Sequence, residues 1–555
     1  MKFPKRFLIL GLTCFSHWLP AAPTTNPVTR QVVADAEKLI GLEFSDEKRD
    51  MMLDGLNARL SSYESIRRQQ IPYGTPPAVL FNPIPVGFQF ESQRKAPKWS
   101  PPGKVLVPTN LNDLAFHSVG DLAALIKSRK VSSEQLTRMY LERLKTYGPK
   151  LECVITLTED LALEQARWAD REISAGKYRG PLHGIPYGAK DLLATKGIRT
   201  TWGSVAFKDQ VLDEDATVIK KLENAGAVLV AKTTLGELAW GDVWFGGMTR
   251  NPWNPASGSS GSSAGSSAGM AAGLFAFSIG SETHGSIISP TTVCGVTGLR
   301  PTYGRVSRAG VMPLSWTMDK LGPIGRTVED CALVFNAIYG PDGVDQTVYD
   351  APFNYRAKVV LRKLRIGYLK SDFEKKKNRT NDLASLAVLE SLGAKLIPIE
   401  LPKYPVDDIS FVLSTEGATV FDELTRSNRD DLLVRQIKNA WPNVFRRARF
   451  VPAVEYLQAQ RIRYLLIQDM AKLMERIDVY VAPSDVGDNL LLTNLTGHPS
   501  VGVPNGFSDA GMPTSISFVG KLFGEADLLG VAKAYQDATS FHHQHPDLSK
   551  VLSRP

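Results

Sequence analysis

The chain has 555 residues, of which 43% are hydrophobic and 22% charged. That is enough for a large globular core, as one big domain with an appendage or as a few smaller ones. The formal net charge of +8 is spread along the chain, and the Lys375-Lys376-Lys377 run is short and lacks aromatic neighbours. It reads as a solvated turn, and nothing argues for a nucleic acid partner. No apolar run reaches membrane-spanning length.

In chain order, the first feature is a basic start (Lys2, Lys5, Arg6), a short apolar run from Phe7 to Phe15, and small residues at Ala21-Ala22. This is the pattern of a secretory signal peptide, and we expect residues 1–22 to be removed on export to the periplasm or medium. Residues 23–112 read as an N-terminal helical region and a Pro-rich connector. Val32, Val33, Ala36, Leu39 and Ile40 fall at helical spacing, as do Met52, Leu53, Leu56 and Leu60. These helices are expected either to cover the core or to form a homodimer contact. Pro76-Pro77, Pro83, Pro85 and Pro101-Pro102 make the connector extended, with a domain boundary near its end.

Residues 113–555 alternate helices and short β-rich runs. Ser132 and Gln135 form a capping box at the start of one helix. Strands are predicted at residues 153–157, 227–231, 275–279, 364–368, 479–482 and 516–519, and residues 405–476 read as a helical excursion. The expected fold is α/β: one large domain with a central mixed sheet flanked by helices. Of four cysteines, Cys14 leaves with the signal, and Cys153, Cys294 and Cys331 are no disulfide framework. The stretch from His542 to His545 reads as a solvated tail, and neither metal nor cofactor is implied.

Chemistry concentrates in a run of Ser and Gly from Ser257 to Gly269 and its continuation to Pro290. A flexible linker would end in polar residues, whereas this run merges into an apolar, small-residue segment, so it reads as a tightly packed loop. Gly261-Ser-Ser-Ala-Gly265 and Gly265-Ser-Ser-Ala-Gly269 match the nucleophile elbow. That elbow needs a strand directly before it, and Asn251-Pro-Trp-Asn-Pro255 disfavours a central strand.

A different constellation fits better. Ser260-Gly-Ser-Ser-Ala-Gly-Ser266, then Gly280-Ser-Glu-Thr-His-Gly-Ser286 running on to Cys294-Gly-Val-Thr-Gly-Leu-Arg-Pro-Thr302, resembles the amidase signature family. So do Gly180-Pro-Leu-His-Gly-Ile-Pro-Tyr-Gly-Ala-Lys-Asp191, Met318 to Asp330, and Asn494 to Pro504. The resemblance covers about residues 115–540. It implies Lys190 as the catalytic base, Ser262 as the bridging serine after a cis peptide, and Ser286 as the acylated nucleophile. It further implies that backbone N–H groups of Thr283, His284, Gly285 and Ser286 form the oxyanion hole. The chemistry is coherent, because a serine hydroxyl needs a base within reach and lysine serves only when burial lowers its pKa towards neutrality.

Three positions depart from the family pattern: Glu282 stands for the usual Asp, His284 for a Gly, and Ile288 for an Arg. His284 is expected to narrow or polarise the substrate site, or to be structural. His183 and His498 read as structural, Cys294 as a small buried residue, and Trp240, Trp253 and Trp316 as candidate pocket walls. The function expected is hydrolysis of a small carboxamide, anilide, carbamate or peptide amide. The alternatives are an esterase, the amidotransferase subunit that acts on misacylated tRNA, and a non-catalytic binding protein.

Overall fold

Thr29 and Ser45 accept backbone N–H groups at the starts of two helices, Arg30–Ile40 and Asp46–Arg67, as side-chain caps do. Asn57 Oδ1 accepts from Val28 N at 2.8 Å and Arg49 pairs with Glu37 at 2.7 Å, tying the two helices into a hairpin. This computed structural model describes residues 28–103, 105–375, 380–484 and 487–553. The expected signal peptide with Cys14, and Lys376-Lys377, lie outside the described residues.

The chain divides into two units, Met1–Ile71 and Pro72–Pro555. The division falls at the start of the Pro-rich connector. The connector is extended, but its side chains pack on the larger unit. Tyr73 meets Trp202 and Phe207 edge-on at 5.4 and 5.7 Å, and Phe81 lies 3.7 Å below the Arg463 guanidinium.

Among the described residues the larger unit holds fifteen strands. Eleven form one mixed sheet: β1 (Val154–Leu157), β2 (Pro186–Lys190), β3 (Val228–Thr233), β8 (Phe277–Glu282), β9 (Thr297–Arg300), β10 (Lys320–Gly325), β11 (Ile366–Leu369), β12 (Leu396–Ile399), β13 (Val479–Pro483), β14 (Ser500–Phe507) and β15 (Pro513–Gly520). Two small ribbons, β4 (Val243–Trp244) with β5 (Gly247–Met248) and β6 (Arg250–Asn251) with β7 (Asn254–Gly258), stand apart from it. The sheet order is β1-β3-β2-β8-β10-β9-β14-β15-β13-β11-β12. β2 is parallel to both β3 and β8, and β8 is antiparallel to β10. The central strands β2, β8, β9 and β10 are buried along their whole length, as a sheet covered on both faces requires.

All six predicted strands form, and so does the helical excursion, as helices Phe411–Val420, Asp422–Arg426, Trp441–Ala448 and Ala453–Arg476. The Ser132–Gln135 capping box is present. Cys153, Cys294 and Cys331 are free and buried. Among the described residues no helix is long and apolar enough to cross a membrane.

Candidate active site

Lys190 ends β2, the third strand from the β1 edge of the sheet, and its side chain is wholly buried. Its neighbour Asp191 is engaged elsewhere, pairing with Lys232 at 3.1 Å and accepting from Thr201 Oγ1 at 2.6 Å. The adjacent carboxylate therefore leaves Lys190 unpaired. Lys190 Nζ donates instead to Ser262 Oγ (2.7 Å), Ser281 Oγ (2.9 Å) and Ser263 Oγ (3.1 Å), with Ser281 O at 3.4 Å. Burial lowers its pKa well below the usual lysine value, against the weaker pull of Asp319 and Glu282. Hydroxyls and a carbonyl solvate an ammonium less well than a carboxylate would, so this partner set shifts the balance in the same direction as burial, away from the charged form.

The Ser/Gly run is a packed loop entering the buried helix Ala264–Ala271. The Gly261–Ser262 peptide is cis. A Cβ on Gly261 would lie 1.9 Å from Gly241 O, so only glycine fits there. Ser263 N donates to Ser286 O at 3.0 Å, which joins this loop to the one carrying Ser286. The elbow reading loses its basis. The strand before Ser263 belongs to a separate ribbon, Ser263 is buried with its hydroxyl donating to Ser281 O, and Ser267 is buried inside the helix.

The loop after β8 carries Thr283, His284, Gly285 and Ser286. Gly285 turns it at φ 84°, a left-handed conformation natural to glycine. Among the described residues, the N–H groups of these four positions donate to no protein acceptor. The next two, Ile287 N and Ile288 N, both donate to Glu282 Oε2 at 2.9 Å. The other oxygen, Oε1, accepts from Arg300 Nη1 and Asn494 Nδ2 at 2.8 Å each. Burial alone would raise the Glu282 pKa, but the Arg300 charge and these donors hold it at about 2. Glu282 thus closes its own loop into a ring. The missing Arg at position 288 is made good by Arg300 on β9, and Ile288 is buried. Thr283 Oγ1 donates to Asp319 Oδ1 at 2.6 Å, bracing the outer side.

His284 is exposed to solvent, yet its recess is crowded enough that burial lowers its pKa, with Glu282 opposing and Lys320 and Arg300 assisting. His183 and His498 are buried; His183 Nδ1 accepts from Arg179 N, and the His498 ring bonds Thr496 Oγ1 while its carbonyl accepts from Arg300 Nη2. Cys294 is fully buried, and burial pushes its thiol pKa up. Of the candidate walls, Trp240 borders the Ser262 loop through Gly241, whereas Trp253 donates to Cys294 O and packs on Phe507. Trp316 instead presents its carbonyl to Tyr303 and Arg308. Sequence reasoning missed Ser281, Arg300, Asp319 and Asn494. Each stands in or beside a quoted motif, but only the fold turns them inward.

The amidase family profile matches residues 135–529. The chain belongs to the amidase signature family. It is 33% identical over 479 residues to one subunit of the glutamyl-tRNA(Gln) amidotransferase of Thermosynechococcus vestitus, covering 78% of this chain and 99% of that one. The corresponding subunit from a Marinomonas species is 35% identical over 482 residues, with the same coverage. Among solved structures, the peptide amidase of Stenotrophomonas maltophilia superposes with a TM-score of 0.69 at 30% identity, covering 77% of this chain and 97% of that one. An amidase family protein of Bacillus anthracis gives 0.71 at 29% identity, covering 79% and 93%. This amidase therefore has the family's large α/β fold with its mixed central sheet.

Proposed function

We propose that this amidase hydrolyses a small amide-type C–N bond through an acyl-enzyme on Ser286. The observation that carries the reading is the Lys190–Ser262 contact of 2.7 Å, made by a buried lysine without a carboxylate partner. Neutral Lys190 takes a proton from Ser262 while Ser262 takes the proton of Ser286, whose oxygen attacks the carbonyl. The N–H groups from Thr283 to Ser286, which donate to no protein acceptor among the described residues, would receive the developing oxyanion, for which a single donor is worth about 3–4 kcal/mol. The C–N bond breaks as the proton returns through Ser262 to the leaving amine, and water then cleaves the ester. An ester substrate would reach the same intermediate, which keeps esterase activity as an accompanying property.

A carboxamide, anilide, carbamate and ester panel tests this on the wild type and on Ser286→Ala, Ser262→Ala and Lys190→Ala. Each substitution should lower kcat/KM at least 100-fold, the usual scale of acid–base and nucleophilic groups. Full activity of Ser286→Ala on the best substrate would refute the proposal. The identity to the amidotransferase relatives supports a second reading, in which the chain is a subunit of a tRNA-dependent amidotransferase. Turnover of simple amides by the purified chain alone favours the hydrolase. We also propose export, on the basic and apolar start of the chain; N-terminal sequencing of the periplasmic protein should begin near residue 23, and an intact Met1 would argue against it.

A further inference from the structure

Glu282 holds one side of the loop from Thr283 to Ser286, and the other side leads to the helical excursion. Thr283 Oγ1 donates to Asp319 Oδ1, and the second oxygen, Asp319 Oδ2, accepts from Leu314 N at 2.8 Å and Ser315 N at 2.9 Å. Asp319 N donates back to Ser315 O at 3.0 Å, so residues 314–319 close into a turn directly before β10. Turns held only by their own bonds open easily, but this one has a second anchor.

The anchor is Glu416, buried in the helix Phe411–Val420 of the excursion. Glu416 Oε2 accepts from Ser315 Oγ at 2.6 Å and from Thr317 N at 3.1 Å. Its Oε1 accepts from Thr317 Oγ1 and from the Tyr456 hydroxyl at 2.9 Å each, and Tyr456 belongs to the second long helix of the excursion, Ala453–Arg476. Ser315 thus bridges two carboxylates, through its N–H to Asp319 and through its hydroxyl to Glu416. Thr317 is held from behind as well, its Oγ1 and O accepting from Arg463 at 2.7 and 2.8 Å. The helix lies close against the turn, since a Cβ on Gly417 would be 3.2 Å from Leu314 Cδ1. Every link from Tyr456 to Thr283 is a hydrogen bond. A buried carboxylate is costly, and an apolar residue would pack the helix on the turn more cheaply. What the carboxylate adds is direction, because it fixes the Ser315 hydroxyl and the Thr317 N–H in one arrangement.

We propose that Glu416 is a positioning residue, through which the helical excursion sets the Thr283–Ser286 loop for catalysis. It touches no reacting atom and acts through Ser315 and Asp319 on Thr283, three residues before Ser286. Oxyanion donors work only when aimed at the point where charge develops, within about 0.5 Å. A loop loosened at Thr283 therefore still binds substrate but stabilises the transition state less. The inference rests on this loop being the oxyanion hole, and hydrogen exchange tests the relay apart from that reading.

Two variants cut the relay at different links. Glu416→Met removes all four acceptor contacts at similar volume, and Ser315→Ala removes only the bridging hydroxyl and keeps the Ser315 N–H on Asp319. On the best amide, Glu416→Met should lower kcat about tenfold or more with KM within about twofold, the pattern of an interaction that counts only in the transition state. Ser315→Ala should lower kcat in the same way, and it carries the test if Glu416→Met does not fold. Glu416→Gln keeps an oxygen for Ser315 Oγ and Thr317 N and should recover most of the rate. In a Thr283→Val background, where the loop has already lost Asp319, either cut should cost less than about twofold further. Exchange of the Leu314 and Ser315 amides, which Asp319 holds, should quicken in both variants. Losses that multiply with Thr283→Val would overturn the proposal. So would a lowered thermal midpoint with unchanged kcat and unchanged exchange. Faster exchange with kcat unchanged in every variant, Thr283→Val included, would instead refute this loop as the oxyanion hole and leave the relay standing.

Discussion

At the Lys190 amine, four oxygens converge from Ser262, Ser263 and Ser281, and none belongs to a carboxylate. Asp191 is adjacent in sequence, but it points to Lys232 because successive side chains of an extended chain face opposite ways. The depressed pKa that follows from burial has a definite sign. A group active when deprotonated gains activity as pH rises through its pKa, so kcat/KM should climb and reach a plateau well short of pH 10. Lys190 also binds its proton more weakly in the fold than in the unfolded chain. Between those two pKa values the unfolded state holds more protons, so this lysine makes stability rise with pH across the same window. The pH–rate profile and denaturant midpoints from pH 5 to 10 measure both. A flat profile, with chemistry limiting, would contradict a lysine base.

At the scale of elements, the loop between β8 and the helix Ile288–Cys294 is held by one carboxylate. Glu282 is longer than the family's usual Asp, and the added methylene accompanies a clamp that includes both backbone donors and Arg300. Glu282→Gln should leave Arg300 buried and unpaired and cost about 3–5 kcal/mol, with activity falling as the loop loosens. A double-mutant cycle with Arg300→Met in urea should show strong non-additivity, since the two residues share one bond network. Additive losses would mean that the pair is incidental. The folded pKa of about 2 lies below the unfolded value of about 4.3. The Glu282 contribution is therefore complete above pH 4.3 and fades as pH falls towards 2.

The same elements show what could be read from the chain alone. Strands rich in Val, Ile and Phe, such as β3 and β13, announce themselves by composition. β2, β9, β10 and β14 did not, because each carries Gly or Pro where a neighbour comes close. A Cβ on Gly188 would meet Phe275 and Thr233 at 2.9 Å, and one on Gly322 would meet Leu299 O at 1.9 Å. These glycines let the sheet pack tightly around the site, and they erase the strand pattern that would have located Lys190. The three residues of the proposed chemistry were legible through motif spacing, and the fold brings Lys190, Ser262 and the Ser286 loop together. Arg300 and Asn494 were hidden because their partner, Glu282, is 18 and 212 residues away.

For the whole molecule, the two units differ in what they contribute. Both amidotransferase relatives are covered over 99% of their length by 78% of this chain, and the family match begins at residue 135. Every residue named in the site, and the Tyr73 and Phe81 contacts of the connector, belongs to Pro72–Pro555. The N-terminal hairpin leaves Leu39, Met51 and Ile66 exposed within its own unit and buries only Val33 and Glu37 along its first helix. Two helices of this size hold too little core to be independently stable. A protein beginning at Pro72 should therefore fold with kcat/KM within about twofold of the full chain, since the lost unit supplies no site group. Its thermal midpoint and its mass by light scattering then report what the hairpin does. A lower midpoint at unchanged mass would make it a cover for the protein's own surface, and a dimer becoming a monomer would make it the homodimer contact. Loss of catalysis in a chain that still folds would show that the N-terminal unit supplies something the site needs.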